Sequence, residues 1–135
     1  MVVFGLPGAF TPACSDSHLP GYERLYDDFL AAGIDRVICT AVNDAFVMFQ
    51  WGKAQGIEKT MMLPDGNGDF AHGLGMLVDR SRQGMGKRSW RYSMLVEDGV
   101  ITALFAEPGL QDNPAGVPVK VSDAETLLAH IREKE

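Results

Sequence analysis

The sulfur of Cys14 lies between two stretches of opposite character. Before it, Val2 to Leu6 is a short apolar run of the kind that forms a buried strand, followed by the loop Pro7-Gly8-Ala9-Phe10-Thr11-Pro12. After it, a polar and amphipathic stretch from about Ser15 to Ala32 has the spacing of a helix. A thiol at that junction sits in the first turn of a helix. Free backbone N–H groups and the helix dipole there favour negative charge, and so a thiolate, the nucleophilic and redox-active form of cysteine. Pro7 and Pro12 remove backbone donors and stiffen the loop, and Thr11, three residues before the sulfur, brings a hydroxyl to the same small pocket. Most free cysteines are inert packing residues. A rigid loop, a hydroxyl and a helix start gathered around one sulfur argue for a reactive one.

His18 falls one turn after Cys14, which raises the possibility of a Cys–His nucleophile pair. An imidazole on the same helix points along its side rather than across the thiol, and no Asn or Asp orienter follows a suitable histidine motif. The expected role of His18 is therefore hydrogen bonding or packing below the site. Cys14 and His18 have no second ligand cluster beside them, so the spacing predicts no metal site. Cys39 lies mid-strand in an apolar run and is expected in the core. His72 and His130 have no motif around them.

The elements that must position Cys14 follow from periodicity. Arg36 to Val42 is β-branched and apolar between Gly33 and Asn43, which predicts a central strand. Asn43 or Asp44 caps a helix running to about Gln55, with Phe46, Val47, Trp51 and Ala54 at helical spacing and Gly56 as its stop. Met61-Met62-Leu63 is a short strand ended by the Pro64-Asp65-Gly66-Asn67-Gly68 turn. Phe70 to Leu77 predicts a short helix, and Val78 to Lys87 an irregular, basic loop. Tyr92 to Glu97 and Val100 to Ala106, joined by Asp98-Gly99, predict a hairpin. Pro108 to Pro118 is a loop, and Ser122 caps a final helix with Glu125 at the capping-box position and Leu127, Leu128 and Ile131 on its buried face. The order is that of an α/β domain: a parallel sheet with an antiparallel hairpin at its edge, flanked by helices.

Composition narrows the function classes. A chain of 135 residues fits one domain, residues 1–135, with a real core. No apolar run is long enough to span a bilayer. A net charge of −6 gives nucleic acid no basic face to bind. Two cysteines far apart in sequence, with no Cys-x-x-Cys pair, point to reduced thiols and a cytoplasmic protein rather than to a disulfide framework.

The run Pro7-Gly8-Ala9-Phe10-Thr11-Pro12-Ala13-Cys14-Ser15, continuing to His18-Leu19-Pro20-Gly21-Tyr22, closely resembles the active-site segment of peroxiredoxins, most of all those of the type-five branch. The likeness recurs in order at Ala41 to Val47, Trp51 to Ala54, Leu63 to Gly68, Arg88 to Gly99 and Val121 to Leu128. The resemblance implies a thioredoxin-like fold and reduction of hydrogen peroxide and alkyl hydroperoxides by Cys14, which becomes a sulfenic acid. It implies that Thr11 and the helix-start N–H groups hold the peroxide, and that Arg91, in Arg91-Tyr92-Ser93-Met94, supplies the cation. It further implies that Pro7 shields the sulfur and that Pro7, Phe10 and Pro12 line the substrate pocket. Arg88 and Lys87 are expected to be ordinary loop charges.

Members of this branch carry a further strand-rich segment before the strand leading to the site, so the resemblance implies a chain shortened at its N-terminus, with sheet edge and core surface exposed. It also implies a homodimer, with the Phe46 to Trp51 helix and the Arg80 to Lys87 loop as candidate contact surfaces. Met48, Met76 and Met85 are candidates for lining an apolar peroxide pocket, though methionine is more often core filler. Some members resolve the sulfenic acid with a late second cysteine. None occurs here after Cys39, so the expectation is a one-cysteine mechanism with no bound cofactor, recycled by glutathione and glutaredoxin or by thioredoxin. A redox sensor that passes its oxidation to a partner protein would need the same thiol. Steady turnover with a reductant separates that reading from the peroxidase.

Overall fold

The computed structural model describes residues 1–134. Its central sheet has the strand order β3-β2-β1-β6-β7. β1 (Val2–Gly5), β2 (Val37–Ala41) and β3 (Met61–Pro64) run parallel, while β6 (Tyr92–Glu97) lies antiparallel to β1 and pairs with β7 (Val100–Ala106) as a hairpin. The turn Asp98-Gly99 has positive φ at both residues, 55° and 78°, the twist that a two-residue hairpin needs. This mixed sheet, flanked by helices, is the thioredoxin-like arrangement expected from the sequence.

β1 sits in the middle of the sheet, and all four of its residues are buried. Val2 and Phe4 point into one cluster with Leu19, Tyr22, Phe29, Trp51 and Leu127, while Val3 joins Met76, Val78, Trp90 and Met94 on the other face. A strand covered on both faces explains why Val2 to Leu6 is continuously apolar rather than alternating. The ring of Phe4 stacks on Tyr22 at 4.0 Å between centroids, tying the strand before the loop to the helix after it.

Gly5 ends β1 directly opposite Tyr92 of β6. A Cβ at Gly5 would overlap the buried Tyr92 ring, whose Cζ would lie 2.6 Å away. The sequence needs no side chain here because the backbones and the ring already fill the space. We expect Gly5→Ala to cost about 2 kcal/mol and lower the melting temperature by roughly 5–10 °C. An unchanged thermal melt would contradict this packing.

The segment after Cys14 departs from a single helix. It is helical from Pro12, widens to a π turn over Cys14–His18, continues as α1 (Leu19–Arg24), breaks at Leu25 and resumes as α2 (Tyr26–Ala31). The Leu19 N–H bonds to the Cys14 carbonyl, five residues back. Pro20 has no N–H to offer the Asp16 carbonyl and would crowd it, so a widened turn is the local solution.

α3 (Ala45–Ala54) is capped by Asp44, whose carboxylate accepts from the Val47 N–H at 2.8 Å. Its buried face is Met48, Trp51 and Gly52, while Phe46 and Ala54 are exposed despite their helical spacing.

Two further expectations are corrected. The helix placed at Phe70 to Leu77 is only α4 (Asp69–Gly73). The Val78 to Lys87 loop instead contains part of a separate two-stranded antiparallel sheet, β4 (Leu77–Asp79) with β5 (Lys87–Ser89). Gly84 and Gly86, both with positive φ, let the chain reverse between them. The last helix, α5 (Ala124–Glu133), is capped by Asp123 and not Ser122: the Asp123 carboxylate accepts from the Thr126 N–H at 3.1 Å. Ser122 is buried, and its hydroxyl is bonded elsewhere.

Candidate active site

The loop that leaves β1 is held in shape by its own polar atoms and by two distant side chains. The Thr11 hydroxyl donates to the Gly8 carbonyl at 2.7 Å, and the Ala9 N–H donates to the Asn43 amide oxygen at 2.9 Å. Arg88 donates to the Pro7 carbonyl at 3.3 Å and to the Met85 carbonyl at 2.9 Å. Arg88 is thus a half-buried brace of the Pro7 loop and not the ordinary loop charge expected from sequence. No spacing rule could reveal this, because Arg88 and Pro7 are 81 residues apart.

Cys14 and Arg91 meet across 77 residues of sequence. Arg91 immediately precedes β6 and is 3% exposed. It donates from Nη2 to Cys14 Sγ at 3.4 Å, from Nε to the Val117 carbonyl at 2.8 Å, and from Nη1 to His18 Nδ1 at 2.9 Å. The guanidinium has five N–H donors. Three are engaged by partners among the described residues, which leaves two for a ligand. A permanent cation beside a buried sulfur can donate to an oxygen that gains charge there.

His18 lies behind the arginine rather than beside the reacting sulfur. Burial, and then the Arg91 cation, push its imidazole down from 6.5 to about 3, against the opposing pull of the Ser122 carbonyl. The ring is therefore neutral at pH 7. Nδ1 accepts from Arg91, so the proton sits on Nε2 and donates to the Ser122 carbonyl at 3.0 Å. That carbonyl also accepts the Tyr22 hydroxyl at 2.7 Å. The hydrogen bonding expected of His18 below the site is found, and one of its partners is Arg91.

A cavity of about 340 Å³ opens beside Arg91, lined by Pro7, Thr11, Pro12, Ala13, Arg80, Met85 and Arg91 among others, while Cys14 itself lies fully buried behind its wall. The structure therefore brings Pro7, Thr11, Pro12 and Arg91 together around one cavity, and Arg91 links that cavity to Cys14. Phe10 does not line it: the residue has a positive φ of 65° and is 57% exposed, turned away by the tight loop. Of the methionines named from sequence, Met85 lines the cavity, whereas Met48 and Met76 are core. Arg80 was missed, since it sits in a segment that looked irregular. The Thr11 hydroxyl spends its proton on Gly8 and keeps its lone pairs for an incoming O–H.

Cys39 is fully buried in the middle of β2, paired in register with Phe4 and Met62. Burial pushes its thiol well above the usual range. It is a core residue.

Comparison with known proteins covers nearly the whole chain. The family model described as Redoxin matches residues 1–128. A peroxiredoxin of Synechocystis sp. is 56% identical over 135 residues, which is 100% of this chain and 71% of that protein. The hybrid peroxiredoxin hyPrx5 of Haemophilus influenzae is 50% identical over 131 residues, covering 97% of this chain and 53% of that one. The crystal structure of a Plasmodium falciparum antioxidant protein, a 1-Cys peroxiredoxin, superposes with a TM-score of 0.94 at 35% identity, over 98% of this chain and 75% of that one.

Proposed function

The chain belongs to the peroxiredoxins, in their type-five-like branch, and from that premise we propose that it is a one-cysteine thiol peroxidase acting through Cys14. The observation that carries the reading is the Arg91 guanidinium, 3.4 Å from the Cys14 sulfur with two N–H groups unengaged among the described residues. In the reaction, the thiolate attacks the terminal oxygen of a peroxide in line with the O–O bond. An S–O bond forms, the O–O bond breaks, and the second oxygen departs as an alkoxide or hydroxide that takes up a proton. Thr11 accepts from the peroxide O–H, and Arg91 donates to the departing oxygen as its charge grows. Pro7 and Pro12 shape the approach. Cys14 is left as a sulfenic acid, oxidised by two electrons.

Recycling is by an external thiol. A thiolate displaces the sulfenic oxygen as water to give a mixed disulfide, and a second thiol releases Cys14. Supporting this scheme, Cys39 is locked in β2 with its thiol pushed up by burial, and a structural relative is by its printed name a 1-Cys peroxiredoxin. Glutathione with glutaredoxin is the favoured reductant, with thioredoxin as the alternative, and hydrogen peroxide and alkyl hydroperoxides are the oxidants. The protein acts in the cytoplasm as a homodimer. In support of a dimer, α3 presents Phe46 and Phe49 at 84% and 64% exposure beside an apolar groove containing Ile57 and Met62.

The test is the intact mass of reduced protein after one equivalent of hydrogen peroxide, with and without a sulfenic-acid trap. The expected product is a single trapped adduct on Cys14 and no internal disulfide. A Cys14–Cys39 disulfide would overturn the recycling scheme, and an unmodified protein would overturn the peroxidase reading.

A further inference from the structure

Glu107 is 3% exposed and forms no salt bridge among the described residues, yet it is the most heavily bonded carboxylate near the site. It follows β7, and its backbone N–H donates to the Arg91 carbonyl at 3.0 Å. Its own carbonyl accepts the Trp90 indole N–H at 2.7 Å. One carboxylate oxygen, Oε2, gathers four donors: the N–H groups of Lys120, Val121 and Ser122 at 3.1, 3.0 and 2.9 Å, and the Ser122 hydroxyl at 2.6 Å. The other, Oε1, is buried with no partner among the described residues.

These bonds fasten the end of the loop between β7 and α5, and that loop carries both carbonyls that orient the arginine. Val117 accepts directly from Arg91 Nε, and Ser122 accepts from His18 Nε2, which fixes the tautomer whose Nδ1 accepts from Arg91 Nη1. The other end of the loop is pinned separately. Asp112 accepts from the Asp79 N–H, and Asn113 donates to the Asp79 carbonyl. The stretch from Val117 to Ser122, with three valines and one proline, has no strand or helix of its own to hold it.

We propose that Glu107 is a positioning residue for the peroxidase reaction: its carboxylate holds the Ser122 and Val117 carbonyls where they orient His18 and Arg91 toward Cys14. The inference rests on the peroxidase reading only for what Arg91 does. The chain of contacts from Glu107 to Arg91 stands without it.

Three variants test it. Glu107→Asp keeps the charge and withdraws the acceptor by one methylene. Glu107→Gln keeps the reach and one acceptor oxygen, and its NH2 can occupy the unpartnered Oε1 side. Ser122→Ala deletes only the hydroxyl bond. The measurements are the rate of protein oxidation by hydrogen peroxide and the ring 15N NMR signals of His18, which report its tautomer.

Glu107→Asp is expected to slow oxidation about 10-fold and to convert the His18 signals from the Nε2–H form to a mixture of tautomers. Glu107→Gln should restore both to within about 3-fold and to wild-type signals, because reach rather than charge is what it preserves. Ser122→Ala should move the signals in the same direction by a smaller amount, and decides the matter alone if Glu107→Asp does not fold. A folded Glu107→Asp with wild-type rate and wild-type His18 signals overturns the proposal. So does loss of rate in Glu107→Gln with unchanged His18 signals, which would make the effect one of charge. If the wild type itself is not oxidised, the peroxidase reading fails, and the His18 signals still decide the role of Glu107.

Discussion

Arg91→Gln should slow oxidation of Cys14 by hydrogen peroxide about 1,000-fold, while leaving the protein folded. The figure has two sources. Losing one preorganised donor to a developing oxyanion costs about 100- to 1,000-fold. Arg91 is also a full cation placed 3.4 Å from the sulfur, so its removal takes away positive charge beside the anionic transition state. Together these amount to about 4 kcal/mol of transition-state stabilisation. The glutamine amide nitrogen falls where Nε of Arg91 stands and can still donate to the Val117 carbonyl, which limits the damage to packing even though His18 loses its partner. Arg91→Lys keeps the charge but not the planar fork. One ammonium cannot meet Val117, His18 and Cys14 in the geometry that the guanidinium does, so an intermediate loss of about 10- to 100-fold is expected. The rate is measured as the second-order disappearance of reduced protein in a rapid-mixing experiment, with circular dichroism to show that the fold is kept. An Arg91→Gln rate within tenfold of wild type would remove Arg91 from the chemistry.

The elements around Cys14 were legible in the sequence because each is specified locally. The apolar run of β1, the Pro/Gly loop and the Asp98-Gly99 turn announce themselves within a few residues, and the structure keeps them. The meeting of Cys14 with Arg91 is not local. It arises because β1 and β6 are neighbours in the sheet, and only resemblance to a family pointed to it. The misplacements have physical causes too. β4 and β5 are too short for any alternation to show, and their pairing depends on two glycines that looked like loop residues. Ser122 looked like a cap because serine commonly caps helices. Its hydroxyl is instead taken by Glu107, and the adjacent Asp123 serves the helix. Phe46 had the spacing of a core residue, but spacing fixes only relative position on a helix, and the sheet covers the Met48 and Trp51 side. Glu107 gave no signal at all: one acid after a strand is ordinary until the loop it gathers is seen.

His18 makes the second large effect, and its sign follows from burial. In the unfolded chain the imidazole has its ordinary value of 6.5, and in the folded protein it is held down at about 3. Between those values the unfolded state binds the proton and the folded state does not, so stability falls as pH is lowered through this window. At neutral pH the contribution is fully present. From pH 7 to pH 5 the expected loss is about 2 kcal/mol, or roughly 6–10 °C in melting temperature for a domain of this size. By pH 3 the loss from this one ring grows to about 4 kcal/mol, a large share of the stability of an ordinary domain.

The structural reason is the same contact that serves the site. A protonated ring would present Nδ1–H to the Arg91 cation in place of the lone pair that Arg91 now uses, with no solvent to screen the two charges. Activity should therefore fall with stability, because the arginine that His18 orients is the first group displaced. His18→Gln removes the titration, and its side-chain oxygen can still accept from Arg91. Thermal melts of wild type and His18→Gln at pH 7 and pH 5 give the comparison. The wild type should lose the larger part of its acid sensitivity on substitution, with the variant less stable at pH 7 and closer to the wild type at pH 5. Equal slopes for the two proteins would place the acid sensitivity elsewhere and contradict a neutral, buried His18.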